Sequence, residues 1–534
     1  MSVVKLKLLM FCQIQKFGLG QFVRWTSSPS IQGFVGRTEL RRALKICLDN
    51  ALGILICFLL VASLEGALQE SEPVELGSRR ELFIDRYLIE SLDNVRLVLH
   101  APVDQGPVLQ FNQPAWEEKH CTYATVLHSD RGYQLYYRAG LGSDSDLGFQ
   151  ATAYAESADG IHWTKPSLGL FEVAGSRDNN IILTNERKDF AVHNFSPFID
   201  TRPGVPEAER YKALGGIKGG LYSYVSADGI HWKPLRDEPV FTEGVFDSQN
   251  VSFWSEAEQC YLCYFRTWTG GDYAGYRTIS RARSADFIHW TSEGEMDFGD
   301  APREHLYINQ TAPYFRAPHL YLSTAARLVI GREVLTEQQA AALSLDPKYR
   351  EETRREASDV VLLTSRGGRK MDRTFLSSLV RPGIGYENWI SRSNFPALNF
   401  VQTGPAEMSF YVVQNYAQAD IHLRRYTFRL DGLASAQADA AGGQLLTRPL
   451  KFNGSQLRLN YSTSAAGSVR VELCDLNGQP LRGFSAEECS EIVGNELERV
   501  VTWKGEEKIA ELAGKPVRIR FLLKDADLFS FHFE

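Results

Sequence analysis

Carboxyl groups stand immediately ahead of several short runs of strand-forming residues. Asp247 lies in VFDSQN, Glu304 in PREHLYIN, and Glu117 and Glu118 in WEEKH. A set of carboxyls can divide acid and base work when one is ionised and another stays protonated. Asp247 is expected to act as base or nucleophile. Glu304 is expected to be the general acid, its pKa raised by burial under a substrate. Glu118 or its neighbour would supply a third carboxylate. Adjacent strand residues point apart, so only one of the two can face inward. Each has a plainer reading too: Asp247 as a turn cap shared with Ser248, Glu304 as a loop acid beside Arg303. Asp85 in FIDRYL is a further alternative.

Polar and aromatic side chains gather at the same strand starts. The expected substrate contacts are Trp116, His193, Asn194, Gln249, Asn250, His305, Tyr307, Trp389, Arg392 and Asn394. Tryptophan can stack on the apolar face of a sugar ring. Asn394 and Arg392 can hold hydroxyls, and Arg392 can hold a substrate carboxylate. For each tryptophan the alternative is core packing. For His193 it is a satisfied core position. One histidine is a poor metal signature, so no cofactor is expected, with room left for a structural calcium at the channel.

The elements that position these residues are read from an internal repeat. SADGIHW occurs at Ser157–Trp163 and Ser226–Trp232, and SADFIHW at Ser284–Trp290. A worn copy starts at Thr364. Each follows a strand-like run and reads as strand, tight turn, then the aromatic start of the next strand. A repeated motif serves the repeated scaffold, so the Trp is expected to pack between neighbouring sheets. With the runs between the copies, five units of about four strands emerge. The prediction is an all-β chain with a five-bladed β-propeller over residues 77–431. Leu82–Glu90 is expected to close the ring. Thr336–Ala357 interrupts the fourth unit and reads as two short helices, either a solvated excursion or a lid. Residues 432–534 carry short strands without the repeat and are expected to form a β-sandwich that supports the propeller.

Composition narrows the function. Lys and Arg number 58 against 65 Asp and Glu, a formal net charge of −7 that disfavours binding to nucleic-acid phosphates. The apolar run Ala51–Leu64 is shorter than the ~20 residues of a spanning helix. Basic Arg41, Arg42 and Lys45 precede it and small residues follow, so residues 1–67 read as an extension plus secretory signal. A start codon assigned too far upstream would explain residues 1–40. The mature chain is expected to be secreted or periplasmic, monomeric, and free of the membrane after cleavage. Its five remaining cysteines are too few for a disulfide scaffold. Cys474 and Cys489 are close enough in sequence to pair.

A leader, a five-bladed propeller and a C-terminal sandwich resemble the invertase, levanase and arabinanase group of glycosidases, glycoside hydrolase families 32 and 43. FIDRYLIE, YAESADGIHW, FDSQNVSFW and APYFRAPHLYL resemble, more closely, exported proteins of sugar-degrading bacteria. The resemblance implies an exported glycoside hydrolase acting on a poly- or oligosaccharide, with three carboxylates at inner blade ends. The Asn-Asp-Pro-Asn and Arg-Asp-Pro patterns of those families are missing, and Glu488-Cys489 lies outside the propeller. Two alternatives follow: a non-catalytic carbohydrate-binding propeller, and a sialidase-like hydrolase, whose Asp-box turn SADGIHW resembles.

Overall fold

The computed structural model describes residues 72–534, apart from 114, 141–149, 188, 218, 272, 344, 346–349 and 506–507. The expected leader lies outside the described residues. Among the described residues no helix is long and apolar enough to cross a membrane.

Five antiparallel sheets follow one another along the chain as propeller blades. The first is Thr122–Ser129, Gly132–Gly140, Gln150–Ser157 and Ile181–Thr184. The second is Ser196–Ile199, Tyr211–Gly215, Tyr222–Ser226 and Lys233–Pro234. The third is Val251–Ser255, Cys260–Trp268, Arg277–Ser284 and Trp290–Glu295. The fourth is His305–Tyr314, Ala317–Ile330, Glu356–Ser365 and Ser378–Val380. The fifth is built on Phe395–Pro396, Glu407–Gln414 and His422–Arg429. Inner strands such as Thr122–Leu127 are buried on both faces because blades pack face to face. That removes the alternation expected of a half-exposed strand.

The ring closes differently from expectation. Val103–Gln110 pairs with His422–Arg429 as the outermost strand of the fifth blade. Leu82–Glu90 instead joins the C-terminal sheet: Glu81–Leu82 pairs with Arg518–Phe533, and Ile89–Asp93 with Gly443–Thr447. The reason is local. Phe83 packs on Phe521 and Phe531 with ring centroids 5.7 Å away. The closing run VDQGPVLQ carries Gly106 and Pro107, which read against a strand but are tolerated at an edge. On the inner side, Leu398 N donates to Ala124 O and Val126 N to Leu398 O, joining the fifth blade to the first.

The SADGIHW copies are turn staples. In the second, Asp228 Oδ1 accepts from Ile230 N and His231 N, while Ser226 Oγ accepts from Gly229 N. Trp232 packs edge-on against Phe195 at 4.9 Å and against Tyr136 of the preceding blade at 6.4 Å. The fourth-blade insertion forms helices Glu337–Ala342, closed at its start by a Thr336–Gln339 capping box, and Arg350–Arg354.

The C-terminal strands form an eight-stranded sheet that incorporates Glu81–Leu82, Ile89–Asp93 and Arg96–Leu99. Val74–Gly77 adds a parallel pair with Leu450–Phe452. The sheet is fastened to the propeller through buried acids. Asp431 receives Arg316, Tyr314 and Ser530 at 2.7–2.9 Å. Glu81 receives Arg366 at 2.5 Å and His319 at 2.9 Å. All five described cysteines are free thiols, so Cys474 and Cys489 are not paired.

Candidate active site at the strand-start end of the propeller

A polar barrier crosses the propeller axis. Gln249 Nε2 donates to Thr125 Oγ1 at 2.9 Å, and Gln310 Nε2 donates to Gln249 Oε1 at 2.6 Å and to Pro396 O at 2.8 Å. These residues come from four blades and are sealed from water. Gln249 is therefore spent on the scaffold.

Beyond the barrier, at the ends of the inner strands, lies a cavity of about 710 Å³ lined by groups such as Phe198, Trp254, Tyr314 and Phe400. Glu256 is the one acid among its lining residues, so paired acid–base chemistry is not built there.

The strand-start end is polar. Arg138 ends the second strand of the first blade. Its Nη2 donates to His120 O at 2.9 Å, and its guanidinium lies 4.8 Å from the centre of the Tyr123 ring. His193 Nδ1 faces Gln150 Oε1 at 3.0 Å. Its Nε2 sits between Arg138 Nη1 at 3.4 Å and Asp247 Oδ1 at 3.3 Å. Arg266, at the matching place in the third blade, reaches Asp247 Oδ2 at 3.5 Å. The Asp247 side chain remains 49% exposed, so a ligand can reach a carboxylate held by a cation and an imidazole.

A second group of charges comes from the third, fourth and fifth blades. The Arg277 guanidinium lies 4.9 Å from the Trp268 ring and 4.6 Å from the Tyr307 ring. Arg392 Nε donates to the Tyr307 hydroxyl at 3.3 Å, and its Nη2 to Glu352 at 2.8 Å. Glu352 belongs to the second inserted helix, so this insertion reaches the site rather than standing free in solvent. Glu356 begins the next strand and accepts from Ser391 Oγ at 2.8 Å. Burial pushes the Glu356 carboxyl up, and the nearby Glu352 charge adds to it against Arg277 and Arg392.

Backbone irregularity aims these side chains. Register slips between Thr122 and Thr125, and between Leu306 and Ile308, leave Tyr123 and Tyr307 in β-bulges. Bulges re-aim side chains near active sites. Tyr123 (φ 52°), Arg392 (φ 65°) and Asn394 (φ 58°) all hold left-handed conformations that cost energy for residues other than glycine.

The other expected site residues have scaffold positions. Glu304 is held by Arg327 at 2.7 Å and Arg373 at 3.2 Å, the reverse of the apolar burial a general acid needs. Glu117 turns inward to Tyr137 and Lys165, leaving Glu118 exposed. Trp116 is buried and donates to Asn180 at 2.8 Å. The Asn194 amide meets the carbonyls of Gly216, Phe246 and Ser248, and Asn250 bonds to Phe246 and Ser248 in the same loop. Asn394 bridges Ser358, Asn388 and Gln414. His305 Nδ1 accepts from Arg277 N at 3.2 Å. Trp389 is at the surface and donates to Gly383 O. Among the described residues no group of three or more His, Cys, Asp or Glu is arranged to hold a metal.

Glu356, Arg277, Arg138 and Arg266 escaped the sequence reading because they sit on second and third strands. A signal was present: YQLYYRA and YLCYFRTW each place an arginine at the end of an apolar strand, in blades one and three.

No protein-family model matches the chain, and no curated protein matches it in sequence. Among solved structures it is similar to a glycoside hydrolase (TM-score 0.42, 11% identity, covering 62% of this chain and 92% of that one). An N-acetylgalactosamine deacetylase from F. plautii gives 0.40, 12%, 64% and 97%. A fructofuranosidase from Schwanniomyces occidentalis gives 0.36, 10%, 80% and 96%. At these scores none of the three assigns chemistry to this chain.

Proposed function

We propose that the chain is an exported glycoside hydrolase, with Asp247 as base or nucleophile and Glu356, in place of Glu304, as the general acid. The observation that carries this is the contrast between two carboxyls at one end of the ring. Asp247 is exposed and held by Arg266 and His193. Glu356 is buried and pushed toward its protonated form. Environments that drive two carboxyls apart are what glycosidic cleavage requires: one protonates the leaving oxygen, the other acts on water or on the anomeric carbon. Trp268, part-exposed, offers a ring for a sugar, while the Tyr123 and Tyr307 rings are buried against Arg138 and Arg277. The C-terminal sheet is read as a supporting sandwich and the working form as a monomer.

The test is a panel of polysaccharides and aryl glycosides run on the wild type, Asp247→Asn and Glu356→Gln. Turnover of one substrate that both substitutions abolish supports the reading. Turnover that survives both removes it, and binding without any turnover favours the non-catalytic alternative.

A further inference from the structure

Arg277 stands apart from the other cations at the strand-start end. Arg266 is matched by Asp247 and Arg392 by Glu352, while Arg138 donates to a carbonyl and meets His193. Among the described residues no carboxylate lies within ion-pair distance of Arg277. Its Nε and Nη1 are shut off from water without a hydrogen-bond partner. The rings of Trp268 and Tyr307 lie 4.9 and 4.6 Å from the guanidinium carbon, attracting the charge without accepting its protons. The Tyr307 hydroxyl already receives Arg392. Burial, with repulsion from Arg266 and Arg392, outweighs attraction from Tyr307 and Glu356 and holds the Arg277 guanidinium below its usual range. A half-buried cation with no carboxylate in ion-pair contact and two sealed nitrogens without acceptors is costly to keep. Four arginines stand there against three carboxyls, Asp247, Glu352 and the upward-shifted Glu356, a local positive excess on a chain of net charge −7.

We propose that Arg277 receives an oxyanion carried by the sugar, a uronate carboxylate or a sulfate ester, so that the site takes acidic saccharides. Arginine suits this role, because its fork of donors matches such oxyanions and forms charge-assisted bonds. Nη2, the nitrogen not sealed in, is where the ligand would first meet it. That the anion belongs to a substrate rests on the glycosidase reading; the binding of the anion does not.

The experiment measures binding calorimetrically, with an alkyl uronide, its methyl ester, a 6-sulfated alkyl glycoside and the neutral glycoside as probes. The wild type should prefer a charged probe to its uncharged partner by about tenfold or more. Arg277→Gln should erase the preference, and Arg277→Lys should keep part of it. Preference for the uronide names a carboxylate as the source, and preference for the sulfated probe names a sulfate ester. Should the Gln variant fail to fold, the Lys variant and a salt titration of the wild type give the same readout, since added salt should narrow the ratio. Equal affinity for charged and uncharged probes, no binding of either charged probe, or a preference that survives in Arg277→Gln would overturn the proposal. Arg277-dependent anion binding without hydrolysis of any substrate would leave the inference standing and sink the hydrolase reading. Hydrolysis of neutral sugars with no charge preference would do the reverse.

Discussion

Asp247 Oδ1 stands 3.3 Å from His193 Nε2, and the two residues precede the inner strands of adjacent blades. Gln150 holds the opposite nitrogen of the ring, so the imidazole is fixed from both sides. On the proposed hydrolase reading, His193 positions Asp247. His193→Ala should lower kcat by up to about a hundredfold, with a smaller change in KM. His193→Gln should recover part of the loss. A change confined to KM would show that the histidine only helps to bind.

Glu356→Gln should cost about 10²- to 10⁴-fold in rate on substrates with poor leaving groups and much less on activated aryl glycosides. Burial raises the Glu356 carboxyl, so it keeps its proton at a pH where an ordinary glutamate has lost it. The alkaline limb of the pH–rate profile should therefore lie above the usual carboxyl range and vanish in the variant. An unchanged limb would assign the acid elsewhere.

Glu81 carries a stability prediction. Burial pushes its carboxyl up, but Arg366 and His319 outweigh burial and hold it at about 2, below the ordinary 4.5. A depressed folded-state value adds stability above pH 4.5 that is lost as the pH falls toward 2. Glu81→Gln should destabilise the protein by roughly 3–5 kcal/mol at pH 7, with the gap to wild type narrower at pH 3 and closing only as the pH falls through the folded value. Denaturant unfolding at the two pH values checks this, and a gap that ignores pH would refute it.

Gly229 shows what the glycine does in its copy of the repeat, where the third copy holds Phe287 in the same left-handed conformation. It has φ +77°, and an added Cβ would collide with the Tyr136 hydroxyl. Gly229→Ala should cost roughly 2–4 kcal/mol. Gly169, at φ +69° with open space around it, is the control, and Gly169→Ala should cost about 1 kcal/mol. Equal losses in urea unfolding would mean that the contact with the neighbouring blade contributes nothing.

The ring was legible because the SADGIHW turns recur and each marks the exit of a third strand. The positions of Asp247 and His193, just ahead of inner strands, were legible from the strand pattern that follows each. Glu304 misled for a physical reason: its neighbour Arg303 is irrelevant to it, while its partners Arg327 and Arg373 lie 23 and 69 residues onward. Local sequence carries no trace of such pairings. Glu356 begins a third strand just after an inserted helix, and its perturbation comes from packing, which no spacing reports. The closing strand escaped because Gly106 and Pro107 disguise an outer edge.

The latch between Val103–Gln110 and His422–Arg429 has a consequence for biogenesis. Asp104 meets Arg424 across 320 residues of chain, so the ribosome releases one half of this seam long before the other exists. Until translation is nearly complete the nascent ring has a bare outer margin. Such distant pairing makes closure slow and leaves the half-made chain prone to clumping. Holdase protection during synthesis would then decide yield, and shortening the carboxyl end would harm folding first.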